Sequence, residues 1–247
     1  MTDTVAVVTG GASGIGAATA RLLAAHGASV VIADIDEDAA RRTATDIGTA
    51  ASPAHVDVAD ADSVGAMIDL AVDRYGRLDW ACNIAGIAPE PKPFADHSLA
   101  DWQRVIDVDL TGVFLCMQRE LRQMVEQGDG GAIVNVSSGA GVVPAPGQPQ
   151  YTAAKHGVLG LTKHAAQEHA RHNVRVNAVL PGQTETAPMR AYLDAQADHG
   201  ERMLRRLPMG RMATPDEIAE AVYWLCSAAS SYVNGASLMV DGGLVLR

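Results

Sequence analysis

Basic residues are outnumbered in this chain, aromatic residues are scarce, and no long apolar run occurs. Lys and Arg total 19 against 29 Asp and Glu, a formal net charge of −10 at pH 7. A surface of that sign repels phosphate backbones and anionic headgroups, which excludes non-specific binding to nucleic acid or to a membrane surface. Aromatics make up 4% of the residues, and no basic tract accompanies them, so there is no base-stacking array. No stretch approaches the roughly 20 apolar residues that cross a bilayer. The opening MTDTVAVVTGG carries no basic segment, long apolar core or cleavage site, so the expected location is the cytoplasm. The three cysteines, Cys82, Cys116 and Cys226, are odd in number and far apart. They make neither a disulfide framework nor a metal cluster and read as small buried thiols. His169 and His172 have helical spacing but no third ligand, so no metal is expected.

What the chain does have is core-forming sequence: 48% hydrophobic and only 19% charged residues over 247 positions. That length suits one α/β domain over 1–247, with no linker, repeat or low-complexity segment. VAVVT (5–9), SVVIAD (29–34), AHVDV (54–58), LDWACN (78–83), AIVNVS (132–137), VRVNAV (174–179) and SLMV (237–240) read as strands. They are too continuously apolar to be half-solvated, which points to a parallel sheet covered on both faces. Helix-length stretches separate them. Ser98 with Asp101 opens one helix, and TPDE (214–217) opens another as a capping box with proline at the first position. The least regular region, about 184–210, is expected to form a lid over a site.

TGGASGIG (9–16) follows the first strand and opens the first helix. Gly10, Gly14 and Gly16 permit a tight turn whose backbone can approach a pyrophosphate, and Ser13 and Ile15 complete that turn. The helix N-terminus then offers free N–H groups to the phosphates. Asp34 ends the second strand about 20 residues on, where a carboxylate accepts hydrogen bonds from the ribose hydroxyls of NAD. The same charge repels the additional phosphate of NADP, and neither Ser13 nor Ile35 is a basic partner for it. Asp34 could also simply start the DIDED turn; the order strand, glycine turn, helix, strand, acid favours the cofactor.

QYTAAKHG (150–157) places Tyr151 and Lys155 one helical turn apart on one face. A free phenol ionises near about pH 10 and is a poor acid or base at neutrality. A neighbouring ammonium favours the phenolate. Alone, the pair does not distinguish a catalytic unit from two residues of a helix surface.

TGGASGIG, NIAG (83–86), NVSS (135–138), YTAAK (151–155) and NAVLPG (177–182), in this order, resemble the short-chain dehydrogenase/reductase family of the Tyr-x-x-x-Lys type, and the resemblance runs down to residue 243. It implies a Rossmann-like doubly wound parallel sheet of seven strands in the order 3-2-1-4-5-6-7, with helices on both faces. It also implies a nicotinamide cofactor and a homotetramer or homodimer. Tyr151 matches the family's general acid/base, and Lys155 the lysine that favours its phenolate and holds the nicotinamide ribose. Ser138 matches the serine that hydrogen-bonds the substrate oxygen. Asp57 and Val58 match adenine contacts. Asn83, Ala85 and Gly86 match the cofactor loop after the fourth strand. Pro181, Gly182, Thr184 and Thr186 match the segment beside the nicotinamide amide.

One position departs from the family. Asp109 stands where the resemblance calls for the asparagine of a proton relay. A carboxylate cannot donate hydrogen bonds as an amide does, and it adds negative charge near the lysine. Either catalysis survives with a shifted pH profile, because aspartate keeps the main-chain carbonyl, or activity is weakened; the intact Ser138, Tyr151 and Lys155 favour survival. The loop GVVPAPGQPQ (141–150) joins Ser138 to Tyr151 and is expected to line the pocket through Val142, Val143 and Gln148, with Ile87, Met189 and Tyr192 as further apolar neighbours. That lining suggests an uncharged secondary or cyclic alcohol or its ketone, interconverted with NAD. A 3-oxoacyl thioester, sugar or steroid ketone would use the same residues, and a non-catalytic NAD-binding sensor is the rival from another class.

Overall fold

The computed structural model describes residues 4–195, 200 and 203–246, with the backbone alone at 188, 192 and 195. Seven parallel strands form one sheet: β1 (Val5–Thr9), β2 (Ser29–Asp34), β3 (Ala51–His55), β4 (Trp80–Asn83), β5 (Gly131–Val136), β6 (Val174–Pro181) and β7 (Ser237–Val240). Their order is β3-β2-β1-β4-β5-β6-β7, the order implied by the resemblance. Val7 pairs with Val31 on one side and with Ala81 on the other, and β1, β2, β4 and β5 are apolar almost throughout because both sheet faces are covered.

One face carries α1 (Gly14–Ala25), α2 (Glu37–Ile47) and α8 (Pro215–Cys226), which bury Leu23, Ala40, Ile218, Val222 and Leu225 against the sheet. The other carries α3 (Ala61–Tyr75), α5 (Gly112–Gln127) and α6 (Pro149–His169), contributing Met67, Ile68, Met117, Met124, Val158 and Ala165. α4 (Leu99–Ile106) and α7 (Ala187–Ala195) lie in the connections after β4 and β6. Both expected capping boxes form, Ser98 with Asp101 and Thr214 with Glu217. Among the described residues no helix is long and apolar enough to cross a membrane, and no group of three metal-ligating side chains occurs.

Four strand bounds differ from the sequence reading: β4 starts at Trp80 rather than 78, β5 is Gly131–Val136 rather than 132–137, β6 runs on to Pro181 rather than 179, and β3 shifts most. β3 covers Ala51–His55 rather than 54–58. It is an edge strand, where Pro53 costs no ladder hydrogen bond, and Val56 and Val58 are buried beyond its end. Between α4 and α5 the helix widens into a π-turn over Asp107–Thr111, a form that recurs at functional sites. Of the expected lid, residues 196–199, 201 and 202 lie outside the described residues, as does the side chain of Tyr192.

Candidate active site

The strand order reverses between β1 and β4, and the loops at their carboxyl ends meet there, the usual place for a ligand in an open α/β sheet. Gly10 (φ 66°) and Gly14 (φ 50°) take left-handed conformations in the turn after β1. A Cβ on Gly10 would lie 2.9 Å from the backbone N and Cα of Ala85, and one on Gly16 would lie 2.0 Å from the Gly10 carbonyl oxygen. Both approaches require glycine. Ser13 caps α1 through its position only; its side chain accepts no cap hydrogen bond, and the first turn holds no acidic residue. The α1 N-terminus therefore keeps N–H groups and a positive dipole end available for an anion. The cradle fits a dinucleotide pyrophosphate.

Asp34 is fixed against this turn. Its Oδ2 accepts from Ala12 N at 3.0 Å and its Oδ1 from Asp36 N at 3.1 Å. Ile35 beside it is exposed. Thr186 lies over the turn from the β6 side, its Cγ2 being 3.2 Å from a Cβ built on Gly14. Thr184 is buried and its hydroxyl donates to the Gly182 carbonyl at 3.2 Å, while Pro181 ends β6.

Lys155 is the centre of the catalytic candidates. It stands on α6, one turn after Tyr151, and is only 3% exposed. Its Nζ donates to Val136 O at 3.3 Å, lies 3.5 Å from Asp109 Oδ2, and is 5.5 Å from the Tyr151 ring centre. Asp109 is fully buried in the π-turn, and its Oδ1 accepts from Ile87 N at 2.8 Å. Burial pushes the Asp109 carboxyl above the usual range, against the opposing pull of Lys155 and the Ile87 N–H. Gly86 leaves room for the pair: a Cβ there would sit 3.4 Å from both Asp109 Oδ1 and Lys155 Nζ. Ser138, at the end of β5, accepts from Ala140 N at 3.1 Å, and Ser137 donates to the Lys155 carbonyl at 2.9 Å, which ties this corner to α6.

The structure therefore brings the glycine turn, Asp34, Ala85, Gly86, Asp109, Lys155 and Thr186 into one contiguous region. Asn83 belongs to the same loop, but its amide is turned into the core. Asp57 accepts locally from Ala59 N at 2.9 Å, and Val58 packs on Gly112. Val142 is exposed, Met189 is half-buried, and the Gln148 amide donates to Pro89 O.

Sequence reasoning missed three positions. Thr9 Oγ1 accepts from Ile84 N at 3.1 Å and Ala85 N at 3.3 Å, docking the β4 loop on β1. His97 Nε2 faces two carbonyls, Lys92 O at 3.2 Å and Gly147 O at 3.0 Å, so that nitrogen carries the proton. His97 Nδ1 then accepts from Gln150 Nε2 at 3.2 Å, which joins the β4 and β5 loops immediately before Tyr151.

A doubly wound sheet with a glycine turn that fits a pyrophosphate, and a buried lysine beside a tyrosine, is the arrangement that the resemblance to short-chain dehydrogenases implies. The family model described as enoyl-(acyl carrier protein) reductase matches residues 10–245. The cis-4-hydroxycyclohexanecarboxylate dehydrogenase of Sinomonas cyclohexanicum is 50% identical over 98% of this chain and 96% of its own length. The cyclohexanol dehydrogenase of Acinetobacter sp. (strain SE19) is 40% identical over 96% of this chain and 93% of its own. The 3-ketoacyl-(acyl-carrier-protein) reductase from Brucella melitensis, solved complexed with NADH, superposes with TM-score 0.92 and 33% identity over 98% of each chain. The chain belongs to the short-chain dehydrogenase/reductase family, a class of nicotinamide-dependent enzymes acting on the alcohol–carbonyl couple.

Proposed function

We propose that this protein is an NAD-dependent dehydrogenase that interconverts a ring-borne secondary alcohol, of the cyclohexanol class, with its ketone. The observation that carries the reading is the placement of Lys155 Nζ between Val136 O and Asp109 Oδ2, 5.5 Å from the Tyr151 ring. The substrate class rests on the 50% identity to a relative named for a hydroxycyclohexanecarboxylate. NAD rather than NADP is supported by Asp34, whose fixed carboxylate repels a 2′-phosphate.

A bound nicotinamide would supply the hydride acceptor for the carbinol carbon, or the hydride donor for the ketone. Tyr151 exchanges the proton: its phenolate oxygen takes the hydroxyl proton in oxidation, and its phenol gives one back in reduction. Ser138 donates a hydrogen bond to the substrate oxygen as charge develops there. Lys155 supplies the positive charge that favours the phenolate and also binds the nicotinamide ribose. Gly10, Ser13, Gly14, Ile15 and Gly16 would hold the pyrophosphate, Asp34 and Ile35 the adenosine ribose, and Asp57 and Val58 the adenine. Asn83, Ala85 and Gly86 would border the cofactor through their loop, and Pro181, Gly182, Thr184 and Thr186 would border the nicotinamide. Val142, Gln148 and Met189 wall the substrate. Asp109 tempers the lysine's charge.

In this reading residues 1–247 are one domain with a lid over about 184–210, the protein is cytoplasmic, and it assembles as a homotetramer or homodimer as its family resemblance implies. A screen of NAD⁺ reduction across 4-hydroxycyclohexanecarboxylate, cyclohexanol, aliphatic, sugar and steroid alcohols tests the reading, with Tyr151→Phe as control. Turnover of 4-hydroxycyclohexanecarboxylate or cyclohexanol, and of none of the aliphatic, sugar or steroid alcohols, is expected. NAD binding without turnover on any of them would instead favour a non-catalytic sensor.

A further inference from the structure

Behind the candidate site runs a line of buried polar side chains whose hydrogen-bond direction is fixed from one end. Thr162 Oγ1 donates to the Val158 carbonyl in α6 at 2.8 Å. Its single proton thus used, it must accept from Asn135 Nδ2, at 2.9 Å. Asn135 Oδ1 then accepts from Asn83 Nδ2 at 3.0 Å, and Asn83 Nδ2 places its other proton on Glu120 Oε2, also at 3.0 Å. No flip of either amide satisfies the line, because each nitrogen faces an acceptor that has no proton to give.

The line ends with two atoms unpartnered: Asn83 Oδ1 and Glu120 Oε1, both buried and without a donor. Asn83 is 2% exposed and Glu120 is fully buried. The two orphans are the remaining polar atoms, one amide oxygen and one carboxyl oxygen, of the two planar groups already joined by the Asn83 Nδ2–Glu120 Oε2 bond. With Glu120 ionised both are acceptors, and a buried acceptor without a donor costs about 1–3 kcal/mol. A proton on Glu120 Oε1 shared with Asn83 Oδ1 would remove both deficits.

We propose that Glu120 is a positioning residue: as a neutral carboxylic acid it donates to Asn83 Oδ1, closes a two-armed acid–amide pair, and holds the β4 loop in place. Asn83 is the last residue of β4 and heads the loop whose Ala85 abuts Gly10 and whose Gly86 abuts Asp109 and Lys155. The line thereby registers α5, β4, β5 and α6. Burial pushes the Glu120 carboxyl up to about 8, opposed only by its bond to Asn83. The titratable groups facing it are Cys116 on its own helix and Cys82 on β4. Both thiols are pushed up, Cys116 mainly by burial and Cys82 mainly by its contact with Cys226, so both stay neutral. Ionisation of Glu120 would set two acceptors against each other and loosen the loop. This functional consequence rests on the cofactor reading of that loop; the protonation itself does not.

The test compares wild type, E120Q and E120A. A wild-type-minus-E120Q infrared difference spectrum at pH 7 is expected to contain the carbonyl band of a protonated carboxylic acid; its absence overturns the proposal whatever the enzyme turns over. In NADH fluorescence titrations, E120A is expected to weaken binding about 10-fold, the equivalent of roughly one hydrogen bond. E120Q is expected to restore it to within about 3-fold, because an amide there both donates to and accepts from Asn83. E120Q as weak as E120A would mean that Glu120 acts as an anion, and the proposal falls. Should E120A not fold, the infrared band and the comparison of E120Q with wild type decide. Failure of the alcohol screen leaves both readouts standing, so the two readings fail separately.

Discussion

Asp109 Oδ2 and Lys155 Nζ lie 3.5 Å apart, with both side chains out of reach of solvent. Among the described residues Asp109 Oδ2 has no partner other than Lys155, so its main interaction is with the lysine charge itself. A carboxylate at this place offsets part of the positive charge that Lys155 offers to Tyr151. Removing it leaves that charge uncompensated and favours the phenolate. For Asp109→Asn the rising limb of alcohol oxidation is therefore expected to move to lower pH. The acid limb should also lose a titration, since burial holds the Asp109 carboxyl above the ordinary carboxylate range in the parent. NAD affinity should stay within about 2-fold, because Asp109 itself sits behind the Gly86 loop and Lys155 keeps its hold on the ribose. Profiles of kcat against pH that coincide for the two forms would show that Asp109 is electrically silent.

Tyr151→Phe removes the only proton-carrying atom from a ring that otherwise stays packed beside Lys155. General acid–base catalysis contributes about 10²–10⁴-fold, so kcat should fall by at least about 10²-fold. The NADH dissociation constant, read by fluorescence, should change by less than about 3-fold, because the ribose partner Lys155 remains. A loss of cofactor binding that parallels the loss of turnover would show that Tyr151 is structural.

The parts of this fold legible in the sequence are those with local causes. The two capping boxes follow from pairs three residues apart, Ser98 with Asp101 and Thr214 with Glu217, and both form. β1 and β2 match their expected bounds because strong β-branched runs are ended by the glycine turn and by Asp34. The weakly patterned edge strand β3, with Pro53 inside it, was placed three residues late. His97 and Gln150 meet across 53 positions, and nothing local marks either. Glu120 sits among Gln118, Arg119 and Arg122 and reads as a solvated helix position, yet it is fully buried. Its surroundings come from β4 and β5, and only the folded sheet supplies them.

Asp34 tests cofactor choice. Its two oxygens are occupied by Ala12 N and Asp36 N, so the carboxylate is held at the end of β2 rather than free to swing away. Asp34→Ser removes the repulsion of a 2′-phosphate and keeps a short acceptor. The ratio of kcat/KM for NADP over NAD should rise at least about 10-fold, the value of roughly 1.4 kcal/mol of differential binding. An unchanged ratio would mean that Asp34 serves only the turn.

Glu120 gives a prediction in stability against pH. Its folded-state value of about 8 lies above the 4.5 of an ordinary glutamate, so the native chain holds a proton that the unfolded chain has released. Stability therefore falls as pH rises from about 4.5 and levels off above about 8, with a total near 5 kcal/mol as an upper figure. Glu120→Gln lacks this titration while keeping the amide-sized partner for Asn83. The melting temperature of the variant relative to wild type should therefore grow between pH 5 and pH 8.5, by about 2–4 °C for each kcal/mol. Parallel curves for the two proteins across that range would mean that the buried carboxyl is already ionised at the lower pH, with its second oxygen satisfied in some other way.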